Sequence, residues 1–267
     1  MRLASKELIS MSNKELANIF QECITHIPTY ADYWVELEAQ NKQVKLDTPE
    51  MGEQWAGGPW LSVWGFRYII KTLSLFPQID LDIVSKYNKE DHTLQVFPTE
   101  TIEKLLYMGV KGYIKIRKNV SLEDFIKYRG FESRINTKNP TTTLVLGAGN
   151  QSCIPILDFA YHISTRRSPV VLKLNPVNEY LKPVFDNILA PFIKRRFLTI
   201  VTGDAELGKY LTEHQAISHI HLTGSHGTYE NIVYGKKLSV KEVGSKTIKK
   251  VNNTSISTPY LYFLLTL

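Results

Sequence analysis

The amino-acid sequence predicts an α/β protein with a Rossmann-like parallel sheet, helices on both faces of that sheet, and a mostly helical N-terminal region before it. Two observations support this fold class. From Thr141 onward, short runs rich in branched residues alternate with segments of helical pattern, which is typical of a parallel sheet covered on both faces. Before Thr141, apolar residues recur mainly at helical spacing. We therefore expect a domain boundary that separates residues 1–140 from residues 141–267.

The N-terminal region contains a predicted amphipathic helix. Ser12 and Glu15 form a capping-box pattern, and the apolar residues after them recur every three or four positions as far as Ile27. A Gly-Gly-Pro turn at residues 57–59 then leads into a second apolar helical segment. Further along, the alternation between residues 111 and 118 indicates one strand before the sheet begins.

The expected sheet contains five short strands that are rich in branched residues. A segment with a helical pattern follows each of the first four, and a capping residue such as Asp204 precedes some of these segments. Repeated strand-helix-strand units make consecutive strands parallel. The strands are expected at residues 141–146, 169–174, 198–201, 219–223 and 238–243, and the helices at residues 152–165, 177–195, 205–214 and 226–234.

The composition is that of an ordinary globular protein of 267 residues with a formal charge of +6. Lysines cluster between residues 236 and 250, but without the interleaved aromatic residues that accompany nucleic-acid binding, so a solvated basic face is expected. No apolar run is long enough to span a membrane. Two distant cysteines and the lack of a signal-peptide pattern favour a cytoplasmic protein without nucleic-acid or membrane partners.

The turns after the strands are the first candidates for a binding site. In open parallel sheets, ligands bind beyond the carboxyl ends of the strands, where helix N-termini favour anions such as phosphate. The first such turn, LGAGNQS, contains Gly147 and Gly149 in the spacing of the dinucleotide fingerprint, but Ser152 stands where the third glycine is required. By itself this turn fits a phosphate cradle and an ordinary tight turn equally well.

Taken together, the turns resemble the aldehyde dehydrogenase superfamily in order and spacing. The resemblance covers Leu144 to Lys246, through VLGAGNQSCIPILD, VVLKLNP, VTGDAELG, LTGS and KEVGSK. It implies a nicotinamide dinucleotide cofactor, NAD or NADP, and a small-molecule aldehyde as the substrate that is oxidised to a carboxylic acid by hydride transfer.

The resemblance implies a chemical role for two residues. Asn150 matches the asparagine whose amide donates a hydrogen bond to the oxyanion of the thiohemiacetal, a contact worth about 3 kcal/mol in such sites. The alternative for Asn150 is an ordinary turn asparagine at a strand end. Glu242 matches the glutamate that activates water for thioester hydrolysis, and its alternative is a surface carboxylate among lysines.

One implied cofactor residue follows the second strand. Lys173 corresponds to the family lysine near the adenosine ribose, and the alternative is a lysine that is exposed because it lies at a strand end. The family often has an acidic residue three positions later to bind the ribose hydroxyls. This sequence has Pro176 there, so the choice between NAD and NADP stays open.

The other implied cofactor residues lie in the third and fourth turns. Gly203 and Gly208 match small residues that allow a loop and a helix to approach the cofactor closely. Thr223, Gly224 and Ser225 resemble the turn that contacts the pyrophosphate, where a hydroxyl and free amides meet at a helix start. Ser225 would also cap the following helix.

Neither a metal centre nor the nucleophile of the family is evident in the sequence. His219 and His221 share one side of a predicted strand, but no third ligand lies near them, so strand packing or surface exposure is favoured. Aldehyde oxidation in this family needs a cysteine thiolate that follows the Glu242 motif, whereas the two cysteines here are Cys23 and Cys153. A helix start could activate Cys153, but we expect its sulfur to face the core.

We therefore expect a chain that stops before the catalytic domain and does not oxidise aldehydes. The alternative is a noncatalytic nucleotide-binding or protein-interaction module. The oligomeric state stays open, although the elements through which the family assembles are expected to be missing. Residues 256–267 are expected to pack poorly, because the partner strands that they would require are missing.

Overall fold

A computed structural model describes residues 2–76, 81–128, 140–224, 226–234 and 255–257. The described residues belong to two compact units. The first, here called the sheet unit, lies within Met1–Ser74 and Glu132–Pro259, and the second, here called the hairpin unit, lies within Leu75–Phe131. No helix in the described residues is long and apolar enough to cross a membrane.

Helices form the first part of the sheet unit. The predicted capping box is confirmed at the start of the longest of them, where the Glu15 backbone N–H donates to Ser12 Oγ and the Ser12 N–H donates to the Glu15 carboxylate. Trp55 is followed by one turn of π-helix, Ala56–Trp60, where the sequence predicted only a turn. The helices are α1 (Arg2–Ser10), α2 (Asn13–Lys42), α3 (Glu50–Trp55) and α4 (Leu61–Leu75).

The hairpin unit contains a small antiparallel sheet. Its strands are β1 (Tyr87–Asn88), β2 (Thr93–Phe97) and β3 (Gly112–Lys115), in the order β1-β2-β3. The strand predicted between residues 111 and 118 is thereby confirmed as β3. Short helices accompany the strands: α5 (Leu81–Ser85), α6 (Thr101–Leu106) and α7 (Leu122–Tyr128).

The second part of the sheet unit contains the predicted parallel sheet. Its strands are β4 (Thr143–Leu146), β5 (Val170–Lys173), β6 (Leu198–Val201), β7 (His219–Leu222) and β8 (Ser255–Ser257). The order is β6-β5-β4-β7-β8 and neighbouring strands are parallel, so the first four predicted strands are confirmed. The strand predicted at residues 238–243 lies outside the described residues.

The final segment differs in part from the prediction. Residues 256–267 were expected to lack partner strands, but Ile256 in β8 pairs with Ile220 in β7. This pairing covers the only described part of the segment, because residues 258–267 lie outside the described residues.

Helices connect the strands. They are α8 (Cys153–Arg166), α9 (Lys182–Ile188), α10 (Ala190–Lys194), α11 (Ala205–Glu213) and α12 (His226–Tyr234), with a 3-10 helix at Pro176–Leu181. The single helix predicted at residues 177–195 is therefore wrong, because this stretch consists of three short helices. Pro183 and Pro191 stand in the first turns of α9 and α10, where the missing backbone N–H of proline costs no hydrogen bond within the helix.

The two faces of the sheet carry separate apolar clusters. Val145 and Leu172 lie in a large cluster with α2, α8, α9 and α10, whereas Leu144 and Ile220 lie in a smaller cluster with Leu211 of α11. Helices therefore cover both faces of the sheet, which confirms the predicted architecture.

Aromatic contacts join the N-terminal helices to the larger cluster. The ring centroid of Phe20 in α2 lies 4.8 Å from that of Phe192 in α10, and the centroid of Trp34 lies 5.3 Å from that of Phe185 in α9. Both α2 rings are fully buried. Within the sheet unit, α2 and the parallel sheet thus share one core, while the predicted division of the chain at residue 140 stays a prediction for solution experiments.

Candidate functional site

The carboxyl ends of the parallel strands are level with one another. Leu146 of β4 pairs with Lys173 of β5 and with Leu222 of β7, and Lys173 pairs with Val201 of β6. The chain passes from β4 outward to β5 and β6 and then returns to β7 on the other side of β4. This reversal creates a topological switch point between β4 and β7, the place where open parallel sheets bind ligands.

A cleft of about 1320 Å³ opens at this edge of the sheet. It is lined by residues 146–150 after β4, residues 173–176 after β5, residues 222–224 after β7, and one side each of α11 and α12. The cleft therefore extends from the switch point across the end of β5 to α11.

The structure brings five of the eight predicted site residues to this cleft. Gly203 is not a lining residue but lies directly behind the wall, next to Asp204. Ser225 and Glu242 lie outside the described residues, so their placement stays a prediction. The five lining residues are Asn150, Lys173, Gly208, Thr223 and Gly224.

Two hydrogen bonds hold the turn after β4 in place. Gly147 N–H donates to Lys173 O over 2.9 Å, and Asn178 Nδ2 donates to Ala148 O over 3.1 Å. Within the described residues, the N–H groups of Gly149 and Asn150 have no acceptor, and the exposed Asn150 side chain has no hydrogen-bond partner. The turn thus leaves two amides and one carboxamide free for a ligand in the cleft.

A buried polar network holds the residues that follow Asn150. Ser152 Oγ donates to Glu38 Oε2 over 2.8 Å and accepts from Trp34 Nε1 over 3.0 Å, and all three residues are at most 1% exposed. Lys42 Nζ lies 3.1 Å from Glu38 Oε1 and balances its charge. This network, here called the Ser152 network, fixes the loop between β4 and α8 to helix α2.

The π-helical turn at Ala56–Trp60 packs against the same loop between β4 and α8. A Cβ atom on Gly57 would lie 2.0 Å from Gln151 Oε1, and one on Gly58 would lie 2.9 Å from Glu38 Oε2 and 3.1 Å from Ser152 Oγ. Gly58 is therefore required for close packing, because the groups that it faces are buried and hydrogen-bonded to one another, whereas the end of the Gln151 side chain could move away from a Cβ atom on Gly57. Sequence reasoning missed this contact and the Ser152 network, although a glutamate at position 38, on the apolar face of α2, was a signal for a buried partner.

The Gly203 peptide after β6 is held by two charged side chains. Lys173 Nζ donates to Gly203 O and, over 3.3 Å, to Leu174 O, while Glu179 Oε1 accepts from Gly203 N over 2.6 Å. Lys173 is only 6% exposed, so the alternative of an exposed strand-end lysine is wrong. Burial lowers the pKa of Lys173, and the nearby carboxylates of Glu179 and Asp204 oppose that shift.

Gly203 has a backbone conformation that favours glycine. Its φ angle is +145°, and a Cβ atom there would lie 2.6 Å from Leu207 Cδ2. The next residue, Asp204, caps α11 as predicted, accepting from Glu206 N over 3.0 Å and from Leu207 N over 3.1 Å. The Gly203 conformation and the Asp204 cap thus fix the turn between β6 and α11, beside the cleft.

The Thr223 hydroxyl group forms hydrogen bonds within the protein. Its Oγ1 donates to Asp158 Oδ2 over 2.7 Å, and Asp158 Oδ1 lies 3.2 Å from His221 Nε2. The Thr223 oxygen also lies 3.3 Å from His221 Nε2, so the hydroxyl group is taken up by Asp158 and His221 and the neighbouring backbone is left to contact a ligand.

Buried histidines lie behind Thr223. The ring centroid of His162 is 4.6 Å from that of His221 and 5.3 Å from that of His219. Burial, together with Arg166 and His221, lowers the pKa of His219 to about 3, and burial beside His221, His219 and Arg166 lowers that of His162. His219 and His221 are both buried, so of the two expected alternatives they pack inside the protein and are not exposed. Among the described residues, no group of three or more His, Cys, Asp or Glu side chains is arranged to hold a metal ion.

Both cysteines are buried and poor nucleophiles. Cys153 is 3% exposed, which confirms that it faces the core, and burial raises the pKa of its thiol to about 12. Burial also raises the pKa of Cys23 strongly. A thiol held in this form reacts slowly, because the thiolate is the nucleophile.

The parallel sheet and the cleft at its switch point define a Rossmann-like α/β protein. No family model matches the chain. Among curated proteins, Sesquiterpene synthase TPS1 of Xanthium strumarium is 30% identical over 89 residues, which are 33% of this chain and 15% of that protein. So short a match covers too little of the synthase to carry an argument about function.

Solved structures give a longer match. Three solved structures each match 96% of this chain at 11% sequence identity. They are proline utilization A (TM-score 0.56), a putative methylmalonate-semialdehyde dehydrogenase from Sinorhizobium meliloti 1021 complexed with NAD (0.56), and an NAD-dependent benzaldehyde dehydrogenase from Corynebacterium glutamicum (0.55). The chain covers 21%, 40% and 44% of these proteins, respectively.

The chain thus has the fold of the aldehyde dehydrogenases, over less than half of the length of these solved chains. The fold that the sequence resemblance implied is confirmed. At this level of identity the likeness concerns the fold alone.

Proposed function

We propose that the chain binds a nicotinamide dinucleotide, NAD or NADP, in the cleft, as the cofactor-binding part of an aldehyde dehydrogenase. The observation that carries this proposal is that Gly149 and Asn150 line the cleft together with Gly224, and that their backbone N–H groups have no acceptor among the described residues. Free amides of this kind favour the pyrophosphate. One of the matched solved structures is complexed with NAD.

The cleft is compatible with such a ligand. Gly208 leaves open space, since a Cβ atom there would meet nothing nearer than Lys173 Cε at 3.7 Å. When bound, the dinucleotide supplies a hydride acceptor. Thr223 and Gly224 would contact the pyrophosphate through their backbone, together with Ser225 before α12. Lys173 would form the wall near the ribose, with Gly203 behind it.

The proposed substrate class is a small-molecule aldehyde, as the names of the matched dehydrogenases suggest. The free carboxamide of Asn150 is suited to donate a hydrogen bond to an oxyanion, and Glu242 is the proposed base. Cys23 and Cys153 are both buried with raised pKa values, so neither is suited to attack a carbonyl. We therefore propose that residues 1–267 by themselves bind the dinucleotide without oxidising aldehydes.

Titration calorimetry with NAD+ and NADP+ tests the binding site. Gly208→Leu would fill the cleft and should weaken binding by about tenfold or more. Glu206→Leu is the matched control, because Glu206 lies exposed on the same helix outside the cleft lining and its replacement should leave the affinity unchanged. Equal affinity in both variants, or no binding of either dinucleotide to the parent chain, would overturn the proposal.

Absorbance of NADH tests the absence of turnover. The chain is incubated with NAD+ and several aldehydes, in parallel with Cys153→Ala, and both should stay at background. Turnover that disappears in Cys153→Ala would show that this chain oxidises aldehydes through Cys153. Turnover that survives the substitution indicates a contaminating enzyme, and repeating the assay after a further purification step should remove it.

We place this function in the cytoplasm, as the sequence suggests. Fractionation of cells that express a tagged chain tests this, and recovery of the chain in a secreted or membrane fraction would contradict it.

A further inference from the structure

We propose that strand β3 of the hairpin unit is a docking edge for an extended acidic peptide of another protein. The strand lies at one end of the order β1-β2-β3, so among the described residues it pairs with β2 alone. An edge strand presents a row of unpaired backbone groups, and an added strand can satisfy them. This inference concerns the hairpin unit and does not depend on the proposed function of the cleft.

The backbone groups of two residues in β3 are directed away from β2. Ile116 N–H donates to His92 O over 2.8 Å, so the residue directly after β3 turns its backbone towards the β2 side. Residues of an antiparallel strand alternate in this respect. Lys115 and Tyr113, which stand opposite Thr93 and Gln95, therefore turn their N–H and C=O groups outwards.

The side chains along β3 divide between a packed face and an open face. Ile116 and Leu94 are 3% and 1% exposed, and Ile114 shares their face because it pairs with Leu94. Tyr113 and Lys115 lie on the other face, where both are exposed. An added strand would therefore meet an aromatic ring and an ammonium group on its solvent side.

The charge along this edge is positive and unbalanced. From residue 104 to residue 122 the chain contains no acidic residue. Five basic side chains lie in that stretch and are exposed, and within the part of the chain that the structure describes none of them forms an ion pair: Lys104, Lys111, Lys115, Arg117 and Lys118. Lysines at an edge discourage pairing between two copies of the same strand, whereas they favour a strand of opposite charge.

A peptide fits this edge better than a nucleic acid does. Sites for single-stranded nucleic acids carry several aromatic rings on which successive bases stack, and Tyr113 is the single aromatic residue in β3. The outward backbone groups match those of an extended peptide. The side chains of such a peptide would alternate between acidic residues beside Lys115 and apolar residues beside Ile114.

Fluorescence anisotropy with two labelled nine-residue peptides tests the proposal. One peptide alternates glutamate with valine and the other alternates lysine with valine, so the two share β-propensity and differ in charge. We expect the full chain to bind the glutamate peptide at least about tenfold more tightly at low salt, and this preference should decrease as the salt concentration rises.

Two pairs of variants locate the binding to β3. Lys115→Glu should weaken binding of the glutamate peptide by about fivefold or more, whereas Lys89→Glu, an equal change of charge in the turn before β2, should change it by less than about twofold. Tyr113→Pro removes an outward N–H group and should abolish binding. Tyr113→Ala keeps that group and should retain most of the affinity. Circular dichroism checks that each variant is folded.

Four results would overturn the proposal. The first is equal binding of the two peptides, and the second is an equal effect of Lys115→Glu and Lys89→Glu. The third is an effect of Tyr113→Pro no larger than that of Tyr113→Ala. The fourth is a different occupant of the edge, shown by tighter binding of a single-stranded oligonucleotide than of the glutamate peptide, or by a dimer in sedimentation velocity that Tyr113→Pro dissociates.

Discussion

Replacement of Ser152 by alanine should destabilise the protein far more than the loss of one hydroxyl group on a helix would. The hydroxyl group links Trp34 Nε1 to Glu38 Oε2, and both of these side chains are buried. In Ser152→Ala the indole N–H loses its acceptor and the carboxyl group loses a donor. The space vacated by one oxygen atom is too small for a water molecule to restore these bonds.

The expected magnitude follows from these two losses. A buried polar group that loses its hydrogen-bond partner costs about 1–3 kcal/mol, with larger values for charged groups. The free energy of unfolding should therefore fall by about 2–5 kcal/mol in Ser152→Ala. Urea unfolding, followed by tryptophan fluorescence and circular dichroism, measures this change.

Ser164→Ala is the matched control on the same helix. The Ser164 hydroxyl donates only to helix carbonyl oxygens, those of Ala160 and Tyr161, so its removal should change the free energy of unfolding by less than about 0.5 kcal/mol. In a Trp34→Phe background the Ser152→Ala substitution should cost at least about 1 kcal/mol less, because the indole N–H is already absent. Equal stability of Ser152→Ala and Ser164→Ala would refute the importance of the Ser152 network.

Three further predictions concern stability and reactivity. Between pH 6.5 and pH 3 an unfolded histidine binds a proton that folded His219 does not, so stability should fall as the pH falls, by up to about 1.4 kcal/mol per pH unit. The lowered pKa of His162 acts in the same direction. An unfolding midpoint that stays constant from pH 7.5 to pH 5 would contradict this. Gly203→Ala should destabilise by about 1–3 kcal/mol because of its φ angle, whereas Gly208→Ala should be tolerated, as thermal unfolding can show. Cys153 should react with a thiol reagent only as fast as the protein opens, and rapid labelling of the native chain would argue against its burial.

The sequence was informative wherever a local pattern determines structure. The strands from β4 to β7 could be predicted because each is a short run of branched residues between turn or capping residues. The positions of Asn150 and Thr223 at the carboxyl edge followed, because residues directly after parallel strands gather at one edge of a sheet. The division of residues 177–195 could have been predicted from Pro183 and Pro191, because two prolines eight residues apart disfavour one continuous helix and favour two helix starts.

Contacts between distant residues could not be predicted in this way. Ser152 lies 114 residues from Glu38, and only the packing of α2 against the loop after β4 brings them together. The direction of the Lys173 side chain also depends on a turn 30 residues away, so a pattern around β5 could not reveal that its donors are engaged. Such contacts are set by tertiary packing, which local sequence patterns do not encode.

The Ser152 network has a consequence for synthesis of the chain on the ribosome. Trp34 is 118 residues ahead of Ser152, the residue that accepts its indole N–H. At about 5–20 residues per second, the ribosome needs about 6–24 s to add that stretch. During this interval the apolar face of α2, including Phe20 and Trp34, has neither the sheet nor α9 and α10 to pack against. The nascent chain therefore carries an uncovered aromatic surface until β4 and the helices after it have emerged.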